Sequence, residues 1–334
     1  IVPESVASPQ FSFNFTKRTN YQGELKMTME WDNKRYYNLN YFLRQKFGEK
    51  VMKISLDAGF TCPNRDGTKS KGGCIFCSPR GSGDFTMETD DLSKQFDEAK
   101  AMMNKKWKNG KYIGYFQAYT NTYAPVEVLK EKYYTILNKE NIVGLAIATR
   151  PDCLPDDVLE LLEELNSKTY LWVELGLQTI NEETAELINR GYPLETYIKA
   201  VEELKKRNID VVTHCILGLP GETREDMLKT VDFVANTGTQ GIKLHLLHLM
   251  RDTQMVKLYE QGKLRLMEKD EYVDLIVDCL ERLPSNMVIH RLTGDGPRAT
   301  LIGPRWSLNK WEVLNSIDDR LVERDTWQGK KFSL

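Results

Sequence analysis

Residues 51–77 read VMKISLDAGFTCPNRDGTKSKGGCIFC. The first six, 51–56, form a mostly apolar, β-branched-rich run, the pattern of a strand covered on both faces. Directly after it come Cys62, Cys74 and Cys77, three thiols within sixteen residues. Cys74 and Cys77 are three positions apart and can reach one metal centre. The Gly-rich loop between Cys62 and Cys74 can bring the third thiol round to it. Thiolates suit iron–sulfur clusters and zinc. A structural zinc site normally takes four ligands, and no His or fourth Cys lies close in sequence. Three ligands on a four-iron cube leave one iron open to a small molecule. The alternatives are three reduced thiols in a tight loop, and a zinc site completed by a distant His.

Outward from this stretch, short apolar runs alternate with amphipathic segments. Strands are expected at 51–56, 112–117, 143–148, 170–175, 211–217 and 241–247. Helices are expected at 92–107, 126–138, 156–165, 182–188, 194–207, 224–237 and 269–283. Strand–helix alternation repeated six times implies an α/β protein with a parallel sheet. A six-unit open barrel and a doubly wound sheet both fit. Either places the chemistry at the C-terminal ends of the strands. Residues 1–26 have no clear period and are read as an extension, disordered or an artefact of the start site. The core is expected over 27–285, with 286–334 a short C-terminal extension packing on it.

The 334 residues are 41% hydrophobic and 28% charged, with a net charge of −2. That is the mix of a soluble globular protein and excludes a wholly basic nucleic-acid binder. No apolar run approaches the roughly 18 residues that span a membrane, and no secretory signal is visible. The other cysteines, Cys153, Cys215 and Cys279, are scattered. A metal site in a reducing, cytoplasmic compartment fits this spacing better than a disulfide framework.

The expected strand ends carry polar or Gly-rich motifs. Thr120 and Asn121 follow the second strand, and Thr149-Arg150-Pro151-Asp152 the third. Glu174 lies inside the fourth apolar run, where an unpaired carboxylate is costly and needs a cation or hydroxyl partner. Gln178 follows it. Arg190 precedes Gly191, where it either faces a ligand or serves as a helix C-terminal charge. The fifth strand runs through His214 into Gly218-Leu-Pro-Gly-Glu-Thr223, a turn that lets a backbone approach closely and caps the next helix. Lys243 and His245 share one face of the sixth strand; His245 points into the barrel or belongs to its core. Residues 104–111, and Arg298, Arg305, Trp306, Lys310 and Trp311, mix cations with aromatics, as an RNA surface or as solvated faces over a small core.

The three cysteines after a first strand resemble the radical SAM superfamily, and the long gap between Cys62 and Cys74 is similar to that of the Elongator catalytic subunit family. The resemblance implies a partial (β/α)6 TIM-like barrel in which Cys62, Cys74 and Cys77 hold a 4Fe–4S cluster that cleaves S-adenosylmethionine (SAM) to a 5′-deoxyadenosyl radical. It implies that Phe76 lies beside the adenine or simply packs the loop. Thr120 and Asn121 would stand in for the relatives' Gly-Gly turn at the methionine amino group. The Thr-Arg-Pro-Asp run resembles Elongator-type enzymes, which place an acid where Ala148 stands. Glu174 and Gln178 would face the cofactor. Gln178 and Arg190 resemble a pair that approaches SAM in the oxygen-independent coproporphyrinogen oxidases, and His214 and Gly218 lie on the adenine-side strand end.

Residues 34–320 resemble the small radical SAM family related to the Elongator catalytic subunit but lacking its acetyltransferase domain. That likeness implies tRNA as substrate, the 5-carboxymethylaminomethyl side chain of wobble uridine becoming 5-aminomethyl. It also implies a flavodoxin- or ferredoxin-like one-electron donor. Radical chemistry on a small molecule such as a tetrapyrrole, and a zinc-stabilised binding module, are the rival readings. No residue is assigned as a catalytic acid, base or radical donor.

Overall fold

The computed structural model describes residues 15–19, 25–84, 86, 89, 91–107 and 110–333. An antiparallel pair comes first, β1 (Phe15–Thr19) and β2 (Leu25–Met29), with Phe15 opposite Met29. Part of the segment read as an extension is therefore a paired strand. Residues 1–14 and 20–24, which that reading also covered, lie outside the described residues. Helix α1 (Leu39–Phe47) follows, its first turn capped by the Asn38 side chain, which accepts from the Tyr41 N–H.

Six strand–helix units then run β3 (Val51–Leu56), α2 (Leu92–Asn104), β4 (Lys111–Phe116), α3 (Val126–Leu137), β5 (Ile142–Thr149), α4 (Asp156–Asn166), β6 (Tyr170–Gln178), α5 (Glu182–Leu187), α6 (Leu194–Lys206), β7 (Asp210–Leu217), α7 (Arg224–Ala235), β8 (Gly241–Leu246), β9 (Leu249–Met250), α8 (Val256–Glu260) and α9 (Lys269–Arg282). The chain continues with β10 (Val288–Arg291), β11 (Leu301–Gly303) and α10 (Lys310–Glu323). Helices α3, α4 and α6 begin directly after Pro125, Pro155 and Pro193. Thr223 and Asp226 close a capping box on α7.

The main sheet has the order β10-β8-β7-β6-β5-β4-β3 and is parallel throughout. Its order never reverses, so there is no switch point of the kind a doubly wound sheet requires. The sheet curls instead. Lys243 Nζ on β8 donates to Tyr115 Oη on β4 at 2.9 Å. Four strand spacings across a flat sheet would separate them by about 19 Å. The result is the open half-barrel expected, with a correction to its count. A seventh strand, β10, joins β8 beyond the six, and it comes from the segment read as a C-terminal extension.

Alternation along each strand sorts the side chains into two layers. Ile54, Phe116, Ile147, Val173, Leu175 and Val211 face outward onto Leu129, Tyr133, Leu162 and Leu204 of the helices. Each such burial is worth roughly 1.5–3 kcal/mol. Val51, Ile113, Ala146, Trp172, Val212 and Val288 face inward and meet Phe42 and Leu43 of α1, with Trp31 and Tyr37. These inward residues sit near the strand starts, so they plug the N-terminal end of the barrel and leave its C-terminal end open. Among the described residues no helix is long and apolar enough to cross a membrane.

Candidate active site

The cysteine loop is built from the backbone outward. The Arg65 and Asp66 N–H groups turn back onto the Cys62 carbonyl at 2.8 and 3.1 Å, and the Cys77 N–H onto that of Cys74 at 2.9 Å. Asn64, fully buried, donates from Nδ2 to the carbonyls of Asn189 at 2.7 Å and Arg190 at 3.2 Å. Asn189 answers, donating to the Gly73 carbonyl at 2.8 Å. The Arg65 guanidinium holds the carbonyls of Cys77, Ser78 and Pro79. Lys69 pairs with Asp152 at 2.7 Å, and Asp152 takes a bidentate pair of 2.9 Å bonds from Arg150. The loop is thus fastened to the end of β5 and to the turn after α5. Ile75 and Phe76 pack on a third apolar cluster around Ile216, Leu247 and Met255.

Cys62, Cys74 and Cys77 all line one cavity of about 340 Å³ at the open end of the barrel. Burial pushes the Cys74 thiol up to about 12, the neighbouring Cys77 adding to it. Burial also raises Cys77, opposed by Arg65. Thiolates in that setting need the positive charge of a bound metal centre to persist. Three free thiols on one fastened loop therefore match the donor set of an iron–sulfur cluster. Among the described residues, no three His, Cys, Asp or Glu side chains are grouped as a single metal ion would require.

Below the cysteines lies a polar layer that sequence reading caught only in part. Glu174 has no exposed side-chain surface and three partners. Trp172 Nε1 donates to Oε1 at 2.9 Å, His214 Nε2 lies 2.8 Å from Oε2, and the Lys243 ammonium binds Oε2. The partner that its buried position demands is therefore a lysine two strands away. In register with Glu174 on β5 is Ala148, whose small side chain leaves this corner open. Burial alone would raise the Glu174 carboxyl; Lys243, His214 and Lys53 overcome it and hold it well below the carboxylate range. Burial and then the Lys243 ammonium push His214 down to about 4, against the pull of Glu174. At neutral pH His214 is uncharged and its Nε2–H donates to Glu174.

Other expected site residues are distributed as follows. Phe76, Thr120, Gln178, Arg190 and His214 line the cavity with Glu174. Asn121 and Gly218 are not among the lining residues. Asn121 is fully buried and donates from Nδ2 to the Ala148 carbonyl at 2.8 Å, tying β4 to β5. Gly218 turns at φ 93° beneath Met267. Arg190 is 1% exposed, and its guanidinium is engaged with the carbonyls of Leu177, Thr179 and Tyr192 and with Glu182 at 3.1 Å. It orders the β6 end as it stands. His245 does line the cavity, its ring 5.1 Å from that of His214, and its buried Nε2 has no hydrogen-bond partner. Tyr115 and Arg291 line the cavity without any prior sequence signal. Tyr115 lies in an apolar strand, and Arg291 in a strand only four residues long.

The two cationic–aromatic stretches separate. Trp107 stacks under Lys50 at 3.5 Å, next to the starts of β3 and β4, at the barrel end opposite the cavity. Residues 108 and 109 of that stretch lie outside the described residues. Trp306 donates to the Met267 carbonyl at 3.0 Å and packs on Tyr272, a core role. Trp311 is 78% exposed, and its neighbour Lys310 bonds Asp295, a cavity-lining residue, at 2.9 Å.

Comparison with known proteins agrees with this geometry. Residues 62–234 match the radical SAM superfamily, and 239–323 the radical SAM C-terminal domain. The uncharacterized protein YtqA of Bacillus subtilis is 57% identical over 90% of this chain and 93% of its own length. A tRNA uridine(34) acetyltransferase of Methanocaldococcus jannaschii is 26% identical over 48% of this chain and 30% of its own. The solved structure of Methanocaldococcus infernus Elp3 superposes with a TM-score of 0.64 at 17% identity, over 83% of this chain. This chain spans 64% of that structure's length. The half-barrel, the loop of three thiols after its first strand and the family match over more than half of the sequence agree: the chain belongs to the radical SAM superfamily, enzymes that bind a 4Fe–4S cluster and S-adenosylmethionine and draw on an electron donor.

Proposed function

We propose that Cys62, Cys74 and Cys77 hold the cluster, that SAM occupies the cavity beneath them, and that the substrate is the 5-carboxymethylaminomethyl side chain of a tRNA wobble uridine, converted with one water to 5-aminomethyl as the N–carboxymethyl bond breaks, the two carbons leaving as glyoxylate and SAM taking up the two electrons as methionine and 5′-deoxyadenosine. The observation that carries the cofactor assignment is that three fastened thiols open onto the same cavity as a buried polar layer. Cluster and SAM together supply a 5′-deoxyadenosyl radical able to remove a hydrogen atom from substrate. This chain's own residues do the rest. The walls exclude water that would divert the chemistry. Thr120 and Gln178 offer polar contacts to SAM, and Phe76 an apolar one.

The RNA reading draws on Lys310, which bonds the cavity-lining Asp295, and on its exposed chain neighbour Trp311, which together would offer charge and stacking to a nucleotide. It also draws on the partial likeness to a tRNA uridine(34) enzyme. A flavodoxin- or ferredoxin-like donor in the cytoplasm completes the scheme.

Nucleoside mass spectrometry of tRNA from a deletion strain tests it. Loss of 5-aminomethyl uridines and accumulation of the 5-carboxymethylaminomethyl form are expected. An unchanged wobble-uridine profile rejects the substrate. Separately, anaerobic reconstitution should load about four irons per chain, and Cys74→Ala should abolish that loading.

A further inference from the structure

The interior of the half-barrel holds more basic side chains than carboxylates to pair with them. Lys53, Lys243 and Arg291 reach inward from β3, β8 and β10. Glu174 and Asp295 are the acids facing them. Glu174 is taken by Lys243, and Asp295 is shared between Arg291 at 3.0 Å and Lys310 at 2.9 Å. Lys53 makes no ion pair among the described residues; its ammonium lies over the Tyr115 ring at 4.6 Å. The Lys243 ammonium lies over the same ring at 4.5 Å. Burial, opposed by Glu174 and reinforced by Arg291 and Lys310, holds Lys53 below the usual lysine range. Burial, again opposed by Glu174 and reinforced by Lys53 and Arg291, lowers Lys243 further. A bound anion would offset both the burial and the mutual repulsion and hold these groups charged. His245 adds a buried ring nitrogen without a partner, on the same wall as Lys243.

We infer that Arg291, Lys243 and His245 form an anion subsite that receives a carboxylate of the substrate. Arg291 is the principal contact, because its guanidinium fork matches a carboxylate and its present partner, Asp295, is also satisfied by Lys310. Lys243 supplies charge from behind, held in place by Glu174 and Tyr115. The subsite rests on the wobble-uridine reading only for the identity of the acid, since that side chain ends in a carboxylate. The charge distribution itself favours an anion without naming it.

The test measures equilibrium binding to the cluster-loaded full chain with two ligand pairs. One pair is an anticodon stem-loop carrying 5-carboxymethylaminomethyl uridine and the same RNA with that carboxylate as carboxamide. The other is coproporphyrin and its methyl ester. The wild type should prefer the acid of a pair by roughly 10- to 100-fold, the worth of a charged hydrogen bond. Arg291→Gln should erase the preference while leaving carboxamide or ester affinity near wild type, and Arg291→Lys should keep part of it. Iron content and melting temperature matching the wild type establish that the variants are folded. A preference seen only in the tetrapyrrole pair upholds the subsite and rejects the RNA reading. RNA binding without an acid preference overturns the subsite and leaves the RNA reading standing. Absence of an Arg291-dependent preference in both pairs, including undetectable binding, overturns the subsite.

Discussion

Two carboxylates in this barrel, Glu174 fully buried and Glu222 half-buried, are treated in opposite ways. Glu174 stays charged because Lys243, His214 and Trp172 supply what water would have given. Glu222, in the turn after β7, has no cation within bonding distance among the described residues and rests on the Thr179 hydroxyl. Burial pushes it up to about 7, against the Thr179 bond and with Asp226 adding to the rise. Its unfolded value is near 4.5. Between those two values the folded chain holds the extra proton, so this group's contribution to stability falls as pH rises from 4.5 through 7. Glu222→Gln retains a group able to meet Thr179 and removes the cost of ionisation. The variant should therefore melt roughly 2–4 °C above wild type at pH 8 and with it at pH 4.5. An equal shift at both pH values would show that charge is not the cause.

The cysteine loop is the element on which the proposed function depends, and its chemistry and its fastening were not equally legible. Cys62, Cys74 and Cys77 stand out because the cluster ligation proposed for them would dictate residue type and spacing locally. The clamp of Asn64 on Asn189 and Arg190 joins residues 125 positions apart and has no local pattern. Interior strands were legible because both faces are covered and the apolar run is continuous. Strand β10 was missed because four residues are too short to show a period, and half of them, His290 and Arg291, are polar. Strand alternation places Lys243 and His245 on one face, yet the pairing of Lys243 with Glu174 follows from the curl of the whole sheet. Gly191 tests the clamp. It sits at φ 80°, and a Cβ there would stand 2.6 Å from Asn64 Oδ1. Gly191→Ala imposes strain of about 1–3 kcal/mol on the docked loop alone. Reconstituted protein should then lose iron to a chelator roughly tenfold faster, with its far-ultraviolet circular dichroism unchanged. Iron loss at the wild-type rate would mean that the clamp does not hold the loop.

At the scale of the molecule, an open half-barrel must protect two edge strands, β3 and β10. Among the described residues β10 is covered on its outer side by the entry segment, the Ile289 N–H donating to the Tyr37 carbonyl at 2.7 Å. That segment is in turn held by the end of the chain. Arg35 donates to the carbonyls of Leu321 at 3.1 Å and Thr326 at 3.3 Å. Gln328 is fully buried and joins three segments at once. Its Oε1 accepts from the Tyr37 N–H at 2.8 Å, while Nε2 donates to the carbonyls of Pro284 at 2.6 Å and Met287 at 2.8 Å. The two ends of the chain therefore clasp the strand that carries Arg291, and the geometry of the cavity wall depends on residues far from it. Gln328→Ala leaves one N–H and two carbonyls without their partner, a cost of about 3 kcal/mol at the low end of 1 kcal/mol per buried group. Hydrogen exchange should accelerate together in residues 37–42 and 288–291, while β5 and β6 keep their protection. Acceleration confined to residues after Glu323 would show that the clasp is local and that β10 is held by β8 alone.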